Sequence, residues 1–212
     1  MIGGGPNSGS PAQQSVEFWS AADPEQASCV LHDYPRAIGN GLTADLVSGH
    51  LIACYHDSCD IYLEGSWKHL QDTTVSRERH SSAKTTDAVF LIGGEFSNTN
   101  EWIPVDGSAA YQGQFTVRHG QDHCTVQISA DAIVVTGGHD SYNYVTEYQL
   151  ADGNESPLSS LERARFQHAC GVYQDTDSNQ VRKALQCAQN SVMFNFKMLY
   201  KFEILGCFRI LN

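Results

Sequence analysis

Arg77-Glu-Arg-His80-Ser-Ser-Ala-Lys-Thr-Thr-Asp87-Ala-Val-Phe-Leu-Ile92-Gly93-Gly94 is the stretch on which the reading of this chain turns. Its two short runs read as paired strands. The second, Ala88 to Ile92, is apolar throughout and is expected to be buried on both faces. Gly93 and Gly94 then let the chain turn sharply through dihedrals that side chains disfavour.

The same unit recurs. Asp87 to Gly94 is matched 44 residues later by Asp131-Ala-Ile-Val-Val-Thr-Gly137-Gly138. A weaker copy, Gly49-His-Leu-Ile-Ala-Cys54-Tyr55-His56, has Tyr-His where the glycines stand, and Met1-Ile-Gly3-Gly4 opens the chain. After each run comes an acid with an aromatic close behind: Glu17-Phe18-Trp19, Asp60-Ile61-Tyr62, Glu101-Trp102 and Glu147-Tyr148. Before the runs an arginine leads a histidine: Arg77 with His80, Arg118 with His123, Arg165 with His168. Arg36 holds that place in the weak copy without a histidine. Markers in fixed order at this spacing match the period of a propeller blade, a four-stranded sheet of roughly 40–50 residues. One blade reads as a strand after His80, then 88–92, 100–103 and 115–117, with turn residues between.

Paired glycines, a Glu-aromatic step and Arg-x-x-His before the next strand resemble the Kelch repeat. Trp67 stands where such repeats usually carry a tryptophan. The resemblance covers residues 1–181 and implies an all-β, partial Kelch-type β-propeller. Its parts are a blade end at 1–35, blades at 36–76, 77–117 and 118–164, and the first strand of another at 165–181. A full ring of that family has about six or seven blades, so the chain is expected to be a piece of a larger array. The faces it leaves uncovered are expected to drive self-association.

The pattern stops at residue 181. Residues 1–181 carry 8 basic and 23 acidic residues, whereas residues 182–212 carry 5 basic and one acidic. This tail is expected to lie outside the array. Lys197, Lys201 and Glu203 interrupt its apolar stretch, which falls short of a membrane span.

A net charge of −11 would be repelled by nucleic acid or an anionic membrane, so neither is expected as a partner. The first 14 residues lack the pattern of a signal peptide, which reads as cytoplasmic, or as secreted if the chain is a fragment. The seven cysteines leave three readings open. They are buried reduced thiols, a short Cys54–Cys59 disulfide, or a metal site using Cys54, His56 and Cys59 that no second pair completes. The one sequon, Asn154-Glu155-Ser156, matters only in a secreted protein, and Pro157 behind it lowers its value.

Residues that the repeat demands are expected to be scaffold: Arg77, His80, Gly93, Gly94, Glu101, Arg118, His123, Gly137, Gly138, Glu147, Arg165 and His168. The arginines are expected to pair with Glu17, Glu101 and Glu147 or with strand-end carbonyls. Residues that break the repeat are the binding candidates: Tyr55, His56, Phe96, Asn98, His139, Asp140, Tyr142 and Tyr144. Aromatic and amide side chains on loops at one end suit a protein or peptide partner.

No nucleophile elbow, phosphate loop, zinc-protease motif or dinucleotide fingerprint occurs. No cofactor, metal or catalytic residue is assigned. The resemblance implies a non-enzymatic interaction module. Its alternatives are a fragment without independent function and a piece of a copper radical oxidase similar to galactose oxidase.

Overall fold

The computed structural model describes residues 16–18, 29–36, 41–139, 143–174 and 183–189. Among them there is no helix, and every strand pairing is antiparallel, so the expected all-β character holds. The chain forms two compact units, one of residues 1–39 with 192–212 and one of residues 40–191. In the first, β1 (Val16–Phe18) and β2 (Cys29–Leu31) form a hairpin with Val16 opposite Leu31.

The second unit holds four successive sheets. β3 (Thr43–Val47), β4 (His50–Leu63) and β5 (Ser66–Arg77) make a three-stranded sheet. β6 (Ser81–Lys84), β7 (Ala88–Ile92), β8 (Thr99–Pro104) and β9 (Tyr111–Thr116) make a four-stranded one in chain order. β10 (Cys124–Ser129), β11 (Ala132–Thr136), β12 (Val145–Gln149) and β13 (Glu155–Pro157) repeat that order. β14 (His168–Gln174) pairs with β15 (Lys183–Gln189). None of these sheets closes on itself.

Three expectations need correction. The four strands expected in 36–76 are three among the described residues, because β4 and β5 run unusually long. The strand expected at 115–117 begins at Tyr111. Residues 183–189, expected beyond the array, form β15 and pair with β14 from Lys183↔Gln174 to Gln189↔His168. Composition cannot reveal that pairing, since ladder bonds use backbone groups whatever the side chains.

β7 shows why the apolar run is needed. Its side chains alternate between two faces. Val89 and Leu91 join a core with Val47, Ile52, Ile61 and Ile103, while Phe90 and Ile92 join another with Val117, Ile133, Val135 and Tyr148. The strand is therefore clamped between sheets, with about 1.5–3 kcal/mol gained per large side chain buried.

Successive sheets meet through their first strands: β3 touches β6, β6 touches β10, and β10 touches β14. One register position makes the join each time. Thr43, Ser81 and Cys124 lie opposite Cys54, Ile92 and Thr136; Ile92 and Thr136 are the last residues before their glycine turns, while Cys54 lies inside β4. Thr43 Oγ1 meets His80 Nε2 at 3.0 Å, and Ser81 Oγ meets Thr125 Oγ1 at 2.5 Å. Cys124 is bonded to Cys170.

For four of the seven cysteines disulfides replace the reduced-thiol reading, since Cys54 is bonded to Cys59 as well. The first lies within β4, where the pairing with β5 is irregular from His56 to Asp60. The second joins strands 46 residues apart, a distance that gave no hint in sequence.

The turns after β7 and β11 require glycine, whereas β4 runs on through Tyr55 and His56 at that place. Gly94 and Gly138 have φ of +120° and +104°. A Cβ on Gly138 would lie 2.3 Å from the His119 carbonyl oxygen, and one on Gly93 would lie 2.7 Å from that of Gly120. Beneath the first turn, Arg77 is wholly buried. It donates to the carbonyls of Gly93 at 3.0 Å and Thr99 at 2.6 Å, and lies 3.4 Å from buried Glu101. Glu101 also accepts from the Thr74 N–H.

In the next sheet the expected counterparts Arg118 and Glu147 are not in that corner. Arg118 is 79% exposed and pairs with Glu155 at 3.1 Å. His119 fills the place instead, bonded through Nδ1 to the Gly137 carbonyl at 2.8 Å and through Nε2 to Thr146 Oγ1 at 3.1 Å. Thr146 lies opposite Val135, as Glu101 lies opposite Leu91, so Thr146 is the register equivalent of Glu101. Glu147 accepts from the Gln149 amide. His123 is buried against Gly93 and Gly138, and His80 against Gly94. The backbone of His168 starts β14, while its side chain lies outside the described residues. The Arg165 carbonyl accepts from the Gly138 N–H at 3.0 Å.

Candidate functional site

The glycine-pair turns gather at one end of the unit formed by 40–191, and a second repeat lies there that residue types conceal. Arg79, Asp122 and Gln167 directly precede His80, His123 and His168, and all three have left-handed φ of +53°, +58° and +51°. Side chains there are uncommon, so the surrounding bonds must hold the backbone in place. They do: the Asp122 N–H donates to the Arg79 carbonyl at 2.9 Å, and the Gln167 N–H donates to the Asp122 carbonyl at 2.8 Å. Each left-handed residue links its sheet to the next.

Side chains extend this backbone chain across the end. His56 Nε2 lies 3.1 Å from Glu78, and the Glu95 N–H donates to the Glu78 carbonyl at 2.7 Å. Arg79 spans the middle, 4.0 Å from Glu95, 3.8 Å from Asp122 and donating to Gln121 at 3.4 Å. The His139 N–H donates to the Gln121 carbonyl at 2.9 Å, and the His139 ring meets Phe166 edge-on at 6.4 Å. Burial pushes the Asp122 carboxyl above the ordinary carboxylate range, against the Arg79 charge and a bond from Gln167. Two carboxylates, Glu95 and Asp122, stand around the one guanidinium of Arg79, and a third, Glu78, meets His56.

Aromatic side chains stand out around that charge. Phe96 is 68% exposed, Tyr144 59% and Phe166 52%. Each belongs to this end: Phe96 follows Glu95, Phe166 touches His139, and the Tyr144 carbonyl accepts from the Gly137 N–H at 2.9 Å. A large ring leaves water only if something else covers it.

Of the predicted binding residues, His56, Phe96, His139 and Tyr144 therefore share one end. Asn98 joins them there, its carbonyl accepting from the Val117 N–H at 2.9 Å. Tyr55 packs its ring against His56 at 4.3 Å. Asp140 and Tyr142 lie outside the described residues. Sequence reading missed Glu78, Arg79, Glu95, Gln121, Asp122, Phe166 and Gln167. Six of them directly precede the repeated histidines, and Glu95 directly follows the glycine pair at Gly94; only those positions could have flagged them.

The opposite end has a half-open groove of about 490 Å³ walled by Ser48, His50, Asp87, Asp106 and Tyr111. Asp106 is already engaged, accepting from the Ser108 N–H at 2.8 Å. Among the described residues no cluster of three His, Cys, Asp or Glu side chains could hold a metal ion. No helix among them is long and apolar enough to cross a membrane. No family model and no curated protein matches the chain.

Proposed function

We propose that this chain is a non-enzymatic protein-interaction module built as part of a Kelch-type propeller, with its four successive sheets as blades. Two sheets of the same strand order, joined first strand to first strand at one register position, support the blade reading. Binding occurs at the glycine-turn end. The observation that carries it is that exposed Phe96, Tyr144 and Phe166 belong to the end that also holds the Arg79–Glu95–Asp122 ion pairs. Exposed aromatics flanked by charge supply the apolar anchor and polar rim of a protein interface. Two disulfides favour an oxidising compartment over the cytosol.

The test is a paired capture. Wild type and a Phe96→Ser/Phe166→Ser variant with unchanged circular dichroism and melting temperature are immobilised and presented with the same source extract. A protein held by wild type and lost by the variant supports the reading. Identical captures, or none by wild type, oppose it.

A further inference from the structure

We propose that Asn154 is an N-glycosylation site, and that its glycan shields the outer edge of the β10–β13 sheet. Three independent observations meet there. Asn154-Glu155-Ser156 is the acceptor triplet, in which the third residue's hydroxyl is required for recognition of the asparagine amide. The triplet is open: Asn154 closes the turn between β12 and β13, and residues 154 to 157 are all exposed. The chain also carries two disulfides, which belong to the compartments through which glycosylated proteins pass.

The place has a physical use for a glycan. β13 is the last strand of its sheet, so one row of its backbone groups faces outward. Such an edge invites another strand to pair with it. Pro157 removes one donor from that edge while lowering occupancy of the triplet before it, and a bulky hydrated glycan one residue before the strand would block the rest. The far side of the unit stays clear. β12 begins next to Tyr144 at the glycine-turn end and runs away from it, so Asn154 sits at the opposite end from the aromatic face.

The reaction needs a donor supplied in trans, an oligosaccharide joined to a lipid through a diphosphate. The Asn154 amide nitrogen attacks the anomeric carbon, a C–N bond forms, the C–O bond to phosphate breaks, and the lipid diphosphate leaves. The amide proton passes to a base of the transferase. In the folded chain the Asn154 amide donates to Asp152 Oδ2 at 2.5 Å. Both residues are exposed, so water replaces that bond readily.

The full chain is produced in a eukaryotic secretory pathway behind a cleavable leader. Its tryptic peptides are mapped after peptide-N-glycosidase treatment in heavy-oxygen water. The expected result is a mobility shift abolished by the glycosidase, with the heavy label on residue 154. Asn154→Gln and Ser156→Ala lose both signals while keeping the Cys124–Cys170 bond, and Ser156→Thr raises occupancy. An unlabelled Asn154 in secreted, disulfide-bonded wild type overturns the proposal, whether or not Ser156→Thr is modified. So does a mobility shift that survives Asn154→Gln.

Discussion

The β6–β9 and β10–β13 sheets share strand order and turn geometry, yet they fill the corner beneath the glycine turn with different chemistry. The first uses a charged pair, Arg77 with Glu101, both wholly buried. The second uses a neutral pair, His119 with Thr146. Both place a donor on the carbonyl of the first glycine, at 3.0 Å from Arg77 and 2.8 Å from His119. The repeat demands a donor at that point and a partner opposite, and two kinds of side chain meet the demand. The cost of failure should differ. A broken ion pair strands a charge, whereas a broken neutral pair strands only a dipole.

Arg77→Met should therefore give the largest loss. It leaves the Glu101 carboxylate buried without its cation and takes the guanidinium from the Gly93 and Thr99 carbonyls, of which Thr99 keeps the Gly93 N–H at 3.1 Å. The expected cost is about 3–5 kcal/mol, measured by urea unfolding. Adding Glu101→Gln should return part of it by removing the stranded charge. A loss under about 1 kcal/mol would end the distinction between the two corners.

Next comes the acid response of His80. Burial, reinforced by the Arg77 charge, pushes its pKa down to about 4. The folded state thus holds the neutral ring while the unfolded chain takes up a proton near pH 6.5. The stability that neutrality contributes is present above pH 6.5 and is lost as pH falls to about 4, a difference of about 3 kcal/mol. His119, also lowered by burial, adds in the same direction. The buried carboxyls of Asp45 and Asp122 are raised and oppose it at the acid end. His80→Gln should flatten the slope between pH 6.5 and 4 relative to wild type. An unchanged slope would mean that His80 is not held neutral.

His119→Leu tests the neutral corner alone. It leaves the Gly137 carbonyl and the Thr146 hydroxyl without their shared partner, at an expected cost of about 1–3 kcal/mol. A loss as large as that of Arg77→Met would show that packing, rather than stranded charge, sets the price of this corner.

How much was legible follows from which signals are periodic. The apolar runs 88–92 and 132–135 and the glycine pairs mark buried strands and their turns because places buried on both faces select apolar side chains and the turns select glycine. The left-handed positions Arg79, Asp122 and Gln167 were illegible, because a shared backbone conformation enforced by neighbouring carbonyls leaves the side chain free to differ. Cys124 and Cys170 were illegible as partners, since the pairing depends on adjacent first strands. The binding end was half legible. Phe96 and Tyr144 stood out as departures from the repeat, but Glu78 and Asp122 join them only through contacts between sheets.

Arg118 is the case where spacing misled, and its substitution gives the smallest expected effect. Arg118 stands 41 residues after Arg77 and leads a histidine, so it reads as the same scaffold arginine. Between Arg77 and His80 there are two residues, whereas Arg118 and His123 are separated by four, and the extra length moves His119 into the corner. The displaced arginine goes to solvent, 79% exposed, and meets Glu155 at 40% exposure. Such a pair sits in high dielectric and loses side-chain entropy on forming, so Arg118→Ala should cost no more than about 0.5 kcal/mol. Set beside Arg77→Met on the same denaturation axis, it separates two meanings of a repeat. If similar spacing defined the role, the two arginines would cost alike. If contact with the glycine carbonyl defines it, Arg77 and His119 should both exceed Arg118, and a loss above about 2 kcal/mol for Arg118→Ala would reverse that assignment.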